Sequence, residues 1–81
     1  MRHLEWLALA HTAVTDAGLD VVQELPKLQM LSLTGTRVTD AGLQRLEKLK
    51  HLRTLAVGRT RVTDAGIERL RAALPSLRVI R

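Results

Sequence analysis

The sequence predicts a right-handed α/β solenoid, a short arc of stacked strand–turn–helix units with a parallel sheet on the concave face and helices on the convex face. Three observations carry that prediction. First, a seven-residue string recurs almost unchanged: Thr12 to Gly18 reads TAVTDAG, and Thr36 to Gly42 and Thr60 to Gly66 both read TRVTDAG. Second, its aspartates, Asp16, Asp40 and Asp64, fall 24 residues apart, a period typical of stacked repeats that bury one another's apolar faces. Third, the apolar spacing inside each period changes from every second residue to every third or fourth, the change from strand to helix.

Each repeat can be read in order. Leu4, Leu7, Leu9 and Val14 align with Leu28, Leu31, Leu33 and Val38, and with Leu52, Leu55, Val57 and Val62. The alternation of Leu7 with Leu9 and its copies predicts strands over Trp6 to Ala10, Met30 to Thr34 and Thr54 to Gly58. Downstream, Leu19, Val22 and Leu25, then Leu43, Leu46 and Leu49, then Ile67, Leu70 and Leu74 occupy one face of a helix. Thr15, Thr39 and Thr63 are suited to cap those helices, since a hydroxyl oxygen accepts from the free amides of a first turn. Asp16, Asp40 and Asp64 follow in that turn, where a carboxylate meets the positive end of the helix dipole. Gly18, Gly42 and Gly66 allow close backbone packing, because glycine has no helical preference of its own. Pro26 and Pro75 end the first and third helices; the second ends around Leu49 to His51.

Leu52 to Leu77 spans 25 residues where the earlier intervals span 24. The extra residue falls within Arg71 to Leu74 and predicts a longer last helix. Leu77 to Ile80 then opens a fourth strand. The repeats are therefore about 4–27, 28–51 and 52–76, with a partial fourth over 77–81, in one domain covering 1–81.

The string LxxLxLxxTxVTDAGLxxLxxL resembles the leucine-rich repeat family, over essentially residues 3 to 81, and is similar to the TDAGL-type repeats of bacterial proteins and to those of F-box leucine-rich proteins. The resemblance implies the solenoid fold and a concave face that holds partner proteins. It departs from the family at the ninth repeat position, where Thr12, Thr36 and Thr60 stand in place of asparagine or cysteine. An inward hydroxyl without a partner costs about 1–3 kcal/mol, so each threonine is expected to bond the turn of its own or a neighbouring repeat. The ubiquitin-ligase role of F-box relatives does not transfer, because fold alone does not carry activity and no F-box segment is present.

Composition fits a soluble globular chain: 46% of residues are hydrophobic and 26% charged, with Trp6 the only residue of the Phe, Trp and Tyr class. The absence of cysteine excludes disulfides and thiolate metal sites. Leu4 to Val14 imitates a signal peptide, but Glu5 interrupts it and its leucines keep the phase of the repeats. No stretch is long enough to span a bilayer, and a cytoplasmic location is the default expectation.

The chain begins in phase at Leu4 and stops in phase at Ile80, without a polar terminal repeat to cover either stacking surface. Both ends are therefore expected to be adhesive. Self-association through them follows, a symmetric homodimer of like ends being one form.

Outward-pointing strand residues form three columns: Trp6, Met30, Thr54 and Val79; Ala8, Ser32 and Ala56; Ala10, Thr34 and Gly58. An apolar column ending in tryptophan has the composition of a contact surface, although a terminal tryptophan also serves simply to cover an open core. Arg37, Arg59 and Arg61 leave the second and third strands at one rim, and the net charge of +5 suits an acidic protein, a phosphate group or nucleic acid. The missing aromatics argue against nucleic acid. His3 and His51 lie two repeats apart, roughly 10 Å on the spacing of parallel strands, too far to share a metal ion. His11 sits in a loop at the other end of a strand. Nothing in the sequence supplies a cofactor site or a catalytic constellation. Three functional classes remain: a noncatalytic protein-interaction scaffold using the concave residues Trp6, Met30, Thr54, Ser32 and Thr34 with the arginine rim; a structural or engineered self-assembling module; and an anion-binding module.

Overall fold

A computed structural model describes residues 3–81; Met1 and Arg2, which the single-domain reading includes, lie outside the described residues. The elements are β1 (Trp6–Ala8), α1 (Leu19–Val22), β2 (Met30–Ser32), α2 (Asp40–Gln44), β3 (Thr54–Ala56), α3 (Asp64–Ala73) and β4 (Arg78–Ile80). A 3-10 turn over Asp16–Gly18 leads into α1, and another over Arg45–Lys48 extends α2. The four strands form one parallel sheet in the order β1-β2-β3-β4, each crossing to the next through a helix, as parallel neighbours require.

The core lies between sheet and helices. All the helical positions singled out by their spacing, from Leu19 to Leu74, are buried, and Leu28, Leu31, Leu33 and Val38 in the second repeat are 0% exposed. Burying one such side chain contributes about 1.5–3 kcal/mol. Their equivalents in the first repeat, Leu4, Leu7, Leu9 and Val14, are only partly buried, with one neighbouring repeat packed against them among the described residues.

The strands are shorter than the alternation predicts. Interstrand hydrogen bonds do continue past them, from Leu9 N–H to the Ser32 carbonyl at 2.9 Å and from His11 N–H to the Thr34 carbonyl at 2.8 Å. A left-handed residue then turns the chain, at φ 59° in His11, 72° in Gly35 and 55° in Arg59. These three occupy one repeat position, and only the second copy fills it with the residue that adopts this conformation freely.

The first helix is also shorter than expected, a 3-10 turn and four α-helical residues. By contrast α3 spans ten residues, in line with the extra residue near Arg71. That extra residue does not shift the sheet. β4 keeps the earlier register, with Arg78 opposite Thr54 and Val79 opposite Leu55. Leu77 stands two residues before its inward strand residue where Leu52 stands three before Leu55, and this shorter step absorbs the insertion.

Candidate interaction surface

The register corrects one member of the outward columns. Val79 points inward in line with Leu31 and Leu55, so the first column is Trp6, Met30, Thr54 and Arg78, and the second is Ala8, Ser32, Ala56 and Ile80. Counting from the leucine that opens each repeat misses Arg78; counting the 24-residue period along the strands finds it. Trp6 is 70% exposed and Ile80 49%, while Met30, Ser32, Thr34 and Thr54 are half-buried. The face is thus weakly polar, with an aromatic at one edge and an arginine at the other.

Arg37, Arg59 and Arg61 are exposed and form no ion pair among the described residues. Arg37 and Arg61 occupy equivalent positions in adjacent repeats. The Arg37 N–H donates to the Val14 carbonyl at 2.9 Å and the Arg61 N–H to the Val38 carbonyl at 3.1 Å. A second parallel ladder therefore runs beside the sheet and orders the rim backbone. It leaves the guanidinium groups free for an external anion or carboxylate.

The threonines at the ninth position behave as expected. The hydroxyls of Thr12, Thr36 and Thr60 each donate to the carbonyl three residues earlier, Leu9, Leu33 and Val57, at 2.7 Å. Each bond closes the turn of its own repeat.

The TDAG corner holds more than sequence reasoning found. The Asp16 carboxylate accepts from the backbone N–H of Thr39 at 2.7 Å and from its hydroxyl at 2.5 Å. Asp40 does the same to Thr63, at 2.8 and 2.5 Å. Each aspartate thus clasps the threonine of the following repeat. This corrects the expected capping: Thr15 and Thr39 make no side-chain cap bond, and only the Thr63 hydroxyl also accepts, from the Gly66 N–H at 3.3 Å. The glycine of the motif makes room for this clasp. A Cβ on Gly42 would strike the Asp16 carboxylate and lie 3.0 Å from a Leu19 methyl, and one on Gly66 would strike the Asp40 carboxylate. The Thr63 hydroxyl, and next its N–H, hold the Asp40 carboxyl below the usual carboxylate range, with Arg81 assisting and burial opposing. The one signal for the clasp was the constancy of threonine, aspartate and glycine together across copies.

His3 and His51 are both exposed, and Lys27 Nζ lies 3.5 Å from His3 Nδ1. Among the described residues no three of His, Asp and Glu gather to hold a metal ion, and no helix is long and apolar enough to cross a membrane. Two open clefts, of about 130 and 290 Å³, lie beside Pro75 and beside Asp64, below the range of about 300–1,000 Å³ usual for small-molecule pockets.

Residues 24–46 and 48–70 each match the family model described as Leucine Rich repeat. The chain belongs to the leucine-rich repeat family. A leucine-rich repeat protein of Leptospira interrogans superposes with a TM-score of 0.76 at 26% identity, over 99% of this chain and 20% of that one. The Mex67:Mtr2 subunits of Chaetomium give a TM-score of 0.76 at 19% identity over 95% of this chain and 53% of theirs, a likeness of fold alone. The repeats therefore span a fifth of the first protein and about half of the second. No curated protein matches the chain. Leucine-rich repeat domains generally mediate protein–protein interaction, and the family is typically noncatalytic.

Proposed function

We propose that this chain is a noncatalytic scaffold that binds a protein on the outward face of its sheet. The observation carrying the reading is the column of the exposed Trp6 with Met30, Thr54 and Arg78 across the sheet, together with the exposed rim arginines beyond the strand ends, which form no ion pair among the described residues. Apolar anchors with a cationic border suit a protein presenting an apolar knob among carboxylates. The buried leucines hold the sheet rigid, so little ordering cost falls on binding. Residues that differ between repeats select the partner, while the constant TDAG corner supports the stack.

A comparative pull-down tests this. Partners captured by the wild type should be lost from a Trp6→Ala/Met30→Ala variant, in keeping with anchor truncations that cost about 2 kcal/mol or more, roughly 30-fold. Arg37→Glu/Arg61→Glu should weaken capture and reduce its salt dependence. Partners retained by both variants would overturn the reading. Loss with the arginine variant alone, together with binding to a phosphate-bearing polymer, would favour an anion-binding module instead.

A further inference from the structure

The clasp has a direction. In the strand ladder both repeats donate and accept, but at the clasp of both internal junctions the earlier repeat supplies only acceptors, the aspartate carboxylate and the valine carbonyl two residues before it. To the clasp the later repeat supplies only donors: the threonine N–H and hydroxyl, and the arginine N–H two residues earlier. Each end of the stack therefore shows half of a junction. At the C-terminal end the half is Asp64 with the Val62 carbonyl. At the N-terminal end it is Thr15 with the Ala13 N–H, which have no such partners among the described residues.

The acceptor half already holds a donor. The Arg81 guanidinium pairs with Asp64 and donates to the Val62 carbonyl at 3.3 Å, covering with one side chain the two groups that a following repeat would engage. This pair is accessible: the side chains of Arg81 and Asp64 are 49% and 88% exposed. An exposed pair contributes at most about 1 kcal/mol, so it can be exchanged for a better-fitting set of donors. Beside it the cleft of about 290 Å³ is lined by Ile67 and Val79 together with the charged Asp64, Glu68, Arg71 and Arg81. Ile67 is 7% exposed and Val79 half-buried, where their equivalents one repeat earlier, Leu43 and Leu55, are 1% and 0% exposed. The opposite end offers the matching surface in the half-buried Leu4, Leu7, Leu9 and Val14.

We propose that the chain associates head to tail with a second copy of itself. Asp64 and the Val62 carbonyl of one copy accept from Thr15 and the Ala13 N–H of the next, displacing Arg81, while β4 continues into β1 as a parallel neighbour. Like ends cannot form the clasp: two C-terminal ends oppose Asp64 to Asp64, and two N-terminal ends bring the clasp donors to donors. The contact is heterologous, so it leaves a free half at each end and copies add on as concentration rises. It uses the ends of the stack, and its failure leaves the protein-binding face untouched.

The test is sedimentation of the full chain from micromolar to millimolar concentration. The wild type should show an average mass that rises beyond two chains. Asp64→Lys and Thr15→Glu should each remain a single chain, and their equimolar mixture should regain assembly, because Thr15 meets Asp64 at one junction and Glu meets Lys at the other. Circular dichroism establishes that both variants keep the wild-type fold. A wild type of one-chain mass throughout would overturn the proposal. So would an oligomer retained by either variant alone, the mark of like ends, or a mixture of folded variants that stays monomeric.

Discussion

Replacing Gly42 by alanine asks whether the glycine of the repeated motif is there for the helix or for the neighbouring repeat. In an ordinary helix the change stabilises by about 1 kcal/mol. Here the added Cβ would displace the Asp16 carboxylate and press on a Leu19 methyl at 3.0 Å. Displacing the carboxylate forfeits its bonds to the Thr39 N–H and hydroxyl. Charge-assisted bonds contribute about 1.5–3 kcal/mol each; at this half-buried site the lower figure applies and the pair amounts to about 3 kcal/mol. Net of the helical gain, Gly42→Ala should destabilise by about 2 kcal/mol, which lowers Tm by roughly 8–16 °C in a domain of this size. Gly18 is the control. It precedes any clasp, and its Cβ would meet only a Val14 methyl at 3.2 Å, so Gly18→Ala should stay within about 0.5 kcal/mol of neutral. In an Asp16→Ala background most of the Gly42→Ala cost should vanish, a coupling read from a double-mutant cycle in urea. Equal effects at Gly18 and Gly42, or a Gly42→Ala cost unchanged by removing Asp16, would show that the glycine does not serve the clasp.

Three other outcomes follow from the same geometry. Arg59→Gly should raise stability by about 0.5–1 kcal/mol in thermal unfolding, because φ is 55° there and the left-handed penalty exceeds the entropy glycine adds to the unfolded chain. Thr36→Val should cost about 1 kcal/mol in urea unfolding, since its hydroxyl is buried on the Leu33 carbonyl, whereas Thr12→Val, with the same bond at an exposed site, should cost less than half of that. Asp40 sets an acid limit. Its folded pKa lies below its unfolded one, so its contribution is complete above the ordinary carboxylate range, flat above about pH 5, and lost as pH falls through the folded value. Asp40→Asn should reduce the acid dependence of Tm and leave its slope near neutral pH unchanged.

The sheet, the helices and nearly the whole core were legible in the sequence because leucine spacing encodes them directly. Leu31 and Leu55 had to point inward, and Leu43 and Leu46 had to share a helix face. The partners of the TDAG aspartates were not legible. A first-turn position already accounts for an aspartate, and nothing in the string says that Asp16 reaches across to Thr39 rather than serving its own helix. Arg78 was hidden for a different reason: the chain gains a residue before Leu77 and recovers it before Val79, so the leucine spacing and the strand register disagree for one step. The turn at His11 and Arg59 was concealed by side chains that do not advertise a left-handed backbone, although Gly35 at the same position did. Outward residues such as Trp6 were found because alternation fixes both faces of a strand at once.

Asp16 and Asp40 each bind the threonine of the next repeat. Amide hydrogen exchange, followed residue by residue at a concentration where the protein is a single chain, tests this most directly. Exchange should be slow at Thr39 and Thr63, whose N–H groups are held by Asp16 and Asp40, and fast at Thr15, whose N–H has no such carboxylate among the described residues. Equally fast exchange at all three threonines would contradict this arrangement.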